Sequence, residues 1–96
     1  MKIVFITYSE AVDAEVMEIL QALGVQGYTK WAKVLGKGQS SGPHMLSHVW
    51  PQGNDVVMSC VHDDIAEKIL GSIRELRKTI GHEGVKAFSL PLADMT

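Results

Sequence analysis

Apolar and polar positions alternate through "KIVFITY" (2–8), a β-branched and aromatic run that stops at Ser9, which predicts a first strand. The spacing then changes. Val12, Val16, Ile19, Leu20 and Leu23 fall at i, i+4, i+7, i+8 and i+11, the stripe of an amphipathic helix. Glu10, Asp13, Glu15 and Glu18 take much of the remaining surface and gather toward the helix start, where the macrodipole favours them. Gly24 follows as a C′ stop. "YTKWAKVL" (28–35) has strand-forming residue types, although Tyr28 and Lys30 alternate against Trp31 and Lys33 too loosely for a clean face. "NDVVMSCV" (54–61) is a near-continuous apolar strand. Asp63 then stands as the N-cap of a second helix. The stripe of that helix is Ile65, Ile69, Ile73, Leu76 and Ile80, with Arg74, Arg77 and Lys78 in its last turns and Gly81 as its stop. "VKAFSLPL" (85–92) predicts the last strand, with Pro91 near its end, where a missing N–H is tolerated.

The two halves echo each other. "LGVQGY" (23–28) and "EGVKAF" (83–88) share Gly-Val followed by a small residue and an aromatic, and "AEVMEIL" (14–20) echoes "DIAEKIL" (64–70). Two βαβ units in tandem predict a ferredoxin-like β-α-β-β-α-β chain, an α+β fold with a four-stranded antiparallel sheet and both helices on one face. The other face would carry uncovered Val, Ile and Phe side chains, which implies association through it.

Composition narrows the class. A chain of 96 residues is one domain, 1–96, with a modest core that contacts between copies would supplement. A net charge of −2 argues against nucleic-acid or membrane-surface binding. No apolar run approaches the roughly 20 residues of a membrane span. "MKIVFITYSEAV" reads as a strand rather than a signal peptide. The single cysteine, Cys60, excludes an internal disulfide framework and fits a cytoplasmic location. Its place on an apolar strand marks an inert buried thiol, with no basic neighbour in sequence to lower its pKa.

One stretch fits no regular element. "VLGKGQSSGPHMLSHVWPQGND" (34–55) holds Gly36, Gly38, Gly42 and Gly53, two prolines and two histidines. It joins strands that are hairpin neighbours in this fold. A hairpin needs roughly two to five residues, whereas this excursion, 37–53 at its heart, runs to about 18.

The runs "LGVQGYTKWAKVLGKG" (23–38), "NDVVMSCVHDDIAEKIL" (54–70) and "GVKAFSLPL" (84–92) resemble the P-II (GlnB-like) signalling proteins over nearly the whole chain. The resemblance implies a trimer of ferredoxin-like subunits that binds adenine nucleotides in clefts between subunits. It also implies a T-loop after the second strand that reports the ligand to a target protein, such as a membrane transporter or an enzyme. Thr29 matches the family's threonine near the adenine. Gly36, Lys37, Gly38 and Gln39 match the loop base that approaches the phosphates. Gly81, Gly84 and Lys86 fall where the family has a second glycine-bearing phosphate loop. The sequence departs from the pattern too. The T-loop-like excursion is short and has no tyrosine to modify, "TIGHEGVK" does not repeat the family's threonine-glycine-x-isoleucine-glycine run, and "LADMT" carries no basic tail. The chain therefore resembles a divergent member of that family.

Read from the residues alone, "GKGQSSG" suits an anion, because glycines let backbone N–H groups approach oxygens and Lys37 adds charge; the same residues also make a plain turn. The P-loop pattern is absent. His44 and His48 are spaced i, i+4, which on a helical turn would offer two imidazoles to a divalent metal. Pro43 and Pro51 leave room for one turn only, and a third ligand would have to be His82, Cys60 or a residue of another subunit. Trp50 reads as packed into a subunit cleft, with a ligand-stacking platform as the alternative, Trp31 as interface or core, and "EAVDAEVME" and "RELRK" as solvated helix faces. No nucleophile–base pair, HExxH motif or paired carboxylates appear, so the sequence does not read as an enzyme.

The expectation is a P-II-like regulatory homotrimer in the cytoplasm that takes a small anionic effector, an adenine nucleotide such as ATP, ADP or AMP, and requires no cofactor. Two alternatives stay open: a metal-responsive trimer resembling the copper-tolerance CutA proteins, with His44 and His48 as ligands, and a structural trimer without ligand.

Overall fold

The computed structural model describes residues 1–37, 53–80 and 84–96. Strand β1 (Lys2–Ser9) leads through a single 3-10 turn (Glu10–Val12) into helix α1 (Asp13–Ala22). Strands β2 (Thr29–Val34) and β3 (Asn54–Val61), helix α2 (Asp63–Arg77) and strand β4 (Val85–Pro91) follow. This is the expected β-α-β-β-α-β order. The sheet runs β2-β3-β1-β4, and all its pairs are antiparallel.

Alternation along the two central strands decides which face closes. Val4, Ile6 and Tyr8 of β1 and Asp55, Val57, Ser59 and Val61 of β3 are buried toward the helices. Val12, Val16 and Leu20 of the first stripe and Ala66, Ile69 and Ile73 of the second pack onto them. Each fully buried Val, Leu or Ile contributes about 1.5–3 kcal/mol relative to exposure. Ile19, Leu23, Ile65, Leu76 and Ile80 sit half-buried at the margin. Ser59 lies deep in this core because its hydroxyl donates to the Gly27 carbonyl at 2.6 Å.

The first helix ends as expected. Gly24 adopts φ +74, the Gly24 N–H donates to the Gln21 carbonyl at 3.0 Å, and the Val25 N–H donates to the Leu20 carbonyl at 2.9 Å. These are the two bonds of a Schellman stop, for which glycine avoids the Cβ penalty. The second helix differs at both ends. His62, not Asp63, is the N-cap and gives no side-chain cap; Asp63 is the first helical residue and pairs with the chain's N-terminal ammonium at 3.1 Å. The helix closes at Arg77 through the Lys78 and Thr79 turn, while the stop expected at Gly81 lies outside the described residues.

Among the described residues no helix covers the opposite face of the sheet. The register places Trp31, Val56, Thr7 and Lys86 in one row across it, and Thr29, Met58, Phe5 and Phe88 in the next. Phe5 and Phe88 stack with ring centroids 5.4 Å apart, and Trp31, Phe88 and Leu90 remain exposed. Cys60 pairs with Ile3 on this open face and is half-buried. That corrects the expectation of a buried thiol: Cys60 is an odd number of residues from both Val57 and Val61, so it points away from the core.

Candidate functional site

The end of the sheet where β1 finishes collects the expected loop bases. Ser9 pairs with Asn54, and Asn54 pairs with Val34, so the chain leaving β2 and the chain entering β3 start side by side. The Glu10 N–H donates to the Gly53 carbonyl at 3.1 Å, and the Ser9 N–H donates to the Gly84 carbonyl at 2.9 Å. Gly36 lies against the Asn54 side chain, whose amide would have to turn aside for a Cβ at this position.

Gly36 and Lys37 therefore stand at the β2 edge, exposed, and Gly84 and Lys86 stand exposed at the β4 edge of the same end. Two strands separate these edges, a span of about 14 Å at the usual interstrand spacing. Thr29 is exposed on the open face opposite Met58, four residues of β3 away from Asn54. One chain thus aligns these residues along one end and one face but does not gather them round a single hollow. Two hollows among the described residues lie elsewhere, one between α1 and α2 and one beside Gly24 and Tyr28. Gly38, Gln39, Gly81, His44, His48, His82 and Trp50 lie outside the described residues. Among the described residues no three His, Cys, Asp or Glu side chains form a metal-sized cluster.

A polar network lies beneath the β2 edge. Tyr8, buried on β1, donates its hydroxyl to Asp13 Oδ1 at 2.6 Å, and Lys30 Nζ reaches the same oxygen at 2.7 Å. Lys30 is also 3.7 Å from Asp55 Oδ2, and Asp55 Oδ1 accepts the backbone N–H of Lys33 at 3.1 Å. Lys33 Nζ pairs with Glu10 Oε2 at 3.1 Å. Glu10 and Asp13 are thus tied to β2, so the start of "EAVDAEVME" is not simply a solvated face.

Burial raises the Tyr8 phenol well above its ordinary value, and its bond to Asp13 adds to the rise. For Asp13, burial pushes upward, but the bonds from Lys30 and Tyr8 outweigh it and hold the carboxyl below the usual range. Asp13 in turn raises Lys30, against a smaller opposing effect of burial. Sequence spacing gives no clue to this network: Asp55 alternates with Val57, Ser59 and Val61, the more polar face of the run, so period two alone does not place it in the core.

The family model for nitrogen regulatory protein P-II matches residues 1–96. No curated protein matches the sequence. Among solved structures, a PII-like signalling protein from Thermus thermophilus is similar at 24% identity and TM-score 0.66, over 93% of this chain and 82% of that one. The PII-like protein CPII from Thiomonas intermedia, bound to ADP and bicarbonate, is similar at 17% identity and TM-score 0.67, over 97% of this chain and 88% of that one. The same protein bound to ADP, AMP and bicarbonate is similar at 16% identity and TM-score 0.66, over 99% of this chain and 94% of that one. At these identities the structures establish the shared fold.

Proposed function

The chain belongs to the P-II family, whose model spans all of it, and from that premise we propose that it is a regulatory sensor of adenine nucleotides whose site lies between two copies of the chain. One observation carries the reading. Gly36 and Lys37 at one edge and Gly84 and Lys86 at the other occupy the same end of the sheet, about 14 Å apart, so the two glycine backbones of one chain do not both reach one phosphate. A second copy packed through the open apolar face brings one edge of each together. Three copies do this in a closed ring, and each copy hides Trp31, Phe5 and Phe88 against its neighbours.

In such a cleft the glycines let backbone N–H groups reach phosphate oxygens, and Lys37 and Lys86 add charge-assisted contacts. ADP in the similar CPII structures makes a nucleoside diphosphate the first ligand to try. The segment that follows Lys37 relays the bound state to a target protein: a ligand that contacts the loop base in one arrangement only shifts the population toward it. Nothing in this reading requires catalysis.

Light scattering on the purified protein should give three times the 10.5 kDa chain mass. Calorimetry with ADP, ATP and AMP should show binding, and Lys37→Ala or Lys86→Ala should each weaken ADP at least about tenfold, the loss of one charge-assisted contact. A double His44→Ala, His48→Ala variant should leave ADP affinity unchanged. A monomer, or no heat with any nucleotide at millimolar concentration, overturns the reading. Zinc or copper affinity that collapses in the histidine variant would replace it with the metal reading.

A further inference from the structure

Strand β2 does not leave the sheet as a regular strand. Trp31 pairs with Val56 and Val34 pairs with Asn54, so three steps on β2 answer two on β3, and one residue is extra. The break contains Lys33, at φ 58, the left-handed region that a side chain rarely adopts. A backbone outlier of this kind persists only where its surroundings over-determine it. Here three contacts do so. The Asp55 carboxylate, only 4% exposed, accepts the Lys33 N–H at 3.1 Å. Glu10 holds the Lys33 ammonium at 3.1 Å. Gly53 lies so close to the Lys33 Cα that a Cβ there would stand 3.0 Å from it.

The consequence is directional. A one-residue slip moves every following side chain to the other face. With the bulge, Val34 shares the open face with Trp31; without it, the residues after Lys33 would emerge with the opposite sense.

We infer that Asp55 is a positioning residue for the loop base: by holding the Lys33 amide it fixes the bulge that decides on which side of the sheet Gly36 and Lys37 leave β2. Lys30 supports it by pairing with the other Asp55 oxygen, and Asp13 and Tyr8 support Lys30. This rests on the proposed role of Gly36 and Lys37 in taking ADP, but the bulge itself is tested without ligand.

The experiment is residue-resolved amide exchange by NMR on the wild type, Asp55→Ala and Asp55→Asn, followed by ADP titration of all three. In the wild type the Lys33 amide should exchange at least tenfold more slowly than that of Leu35. Asp55→Ala should remove that protection and weaken ADP at least tenfold while the amides of 56–61 stay protected. Asp55→Asn keeps an oxygen acceptor and should restore both readouts to within about threefold. A wild-type Lys33 amide as fast as that of Leu35 overturns the inference whether or not any variant folds. Equal loss of ADP affinity in Asp55→Ala and Asp55→Asn also overturns it, because the role would then be the charge and not the held amide. If the wild type binds no ADP, the nucleotide reading fails, and the exchange data alone decide whether Asp55 holds the bulge.

Discussion

Strands β2 and β4 hold equivalent places in the two halves of the internal repeat, yet the sheet attaches them by different means. β4 runs in unbroken register along β1 from Val85 opposite Tyr8 to Pro91 opposite Lys2. Val85 is buried, Ala87 packs on the core, and Phe88 stacks on Phe5. β2 is exposed at every position before Val34 and breaks register at Lys33. Its ties to the body are polar: Lys30 to Asp13, the Lys33 amide to Asp55, the Lys33 ammonium to Glu10. An edge held by apolar burial is insensitive to small changes in direction, because burial has no geometry of its own. An edge held by hydrogen bonds has a defined exit angle. The edge from which the long segment departs is the one built with directional contacts.

Substitutions at the two edges should separate these modes. The largest effect belongs to β4: Val85→Ala should cost about 2–3 kcal/mol in urea unfolding, from lost burial and the space left behind, with no dependence on added salt. A loss near zero would mean that burial does not hold this edge. Asp13→Ala should cost less, about 1–2 kcal/mol. It strips the buried Tyr8 hydroxyl of its acceptor, while water reaching the part-exposed Asp13 softens the loss of the Lys30 pair.

The same network gives the two edges different pH behaviour. Asp13 has a depressed pKa in the fold, so its contribution is complete above the ordinary carboxyl value of 3.8 and is lost as pH falls through the lower folded value. Tyr8 and Lys30 have raised values. Their contributions are complete below about 10 and disappear as pH climbs, because the unfolded chain releases those protons first. Urea midpoints against pH should fall at both extremes in the wild type. In Asp13→Ala the acid decline should be shallower, and an unchanged acid limb would contradict the network. The smallest effect is a gain. Lys33→Gly removes the left-handed penalty but keeps the amide that Asp55 holds, so stability should rise by about 1 kcal/mol. A decrease would mean that the exposed Glu10 pair matters more than the backbone.

Periodicity made most of the fold legible. The stripes through Val16 and Leu20 and through Ile69 and Ile73 became the buried helix faces, and the apolar run 54–61 became β3 with the same limits. The β2 region resisted because its departure from alternation was real. With an extra residue at the break, Trp31 and Val34 share a face although they are three positions apart, which no period-two pattern can express. In the sequence Asp55 is one residue of an apolar strand. Its task depends on the Lys33 amide 22 positions earlier, and a contact of that kind leaves no local trace. Gly36 and Lys37 follow β2 and Gly84 precedes β4, where the sequence puts them, whereas Lys86 stands within β4 and not on a loop. Their division between opposite edges follows from the strand order β2-β3-β1-β4 and becomes visible only once the sheet is assembled.

That division supports the central claim, that the nucleotide site is shared between copies, and subunit mixing tests it most directly. Lys37→Ala and Lys86→Ala chains, each expected to bind ADP weakly alone, are co-expressed and the mixed assemblies titrated with ADP. If each cleft takes Lys37 from one chain and Lys86 from its neighbour, random assembly leaves about one quarter of the clefts with both lysines. Those clefts should bind ADP with wild-type affinity. Mixed assemblies that bind no better than either parent variant would contradict the account, since both lysines would then have to come from the same chain.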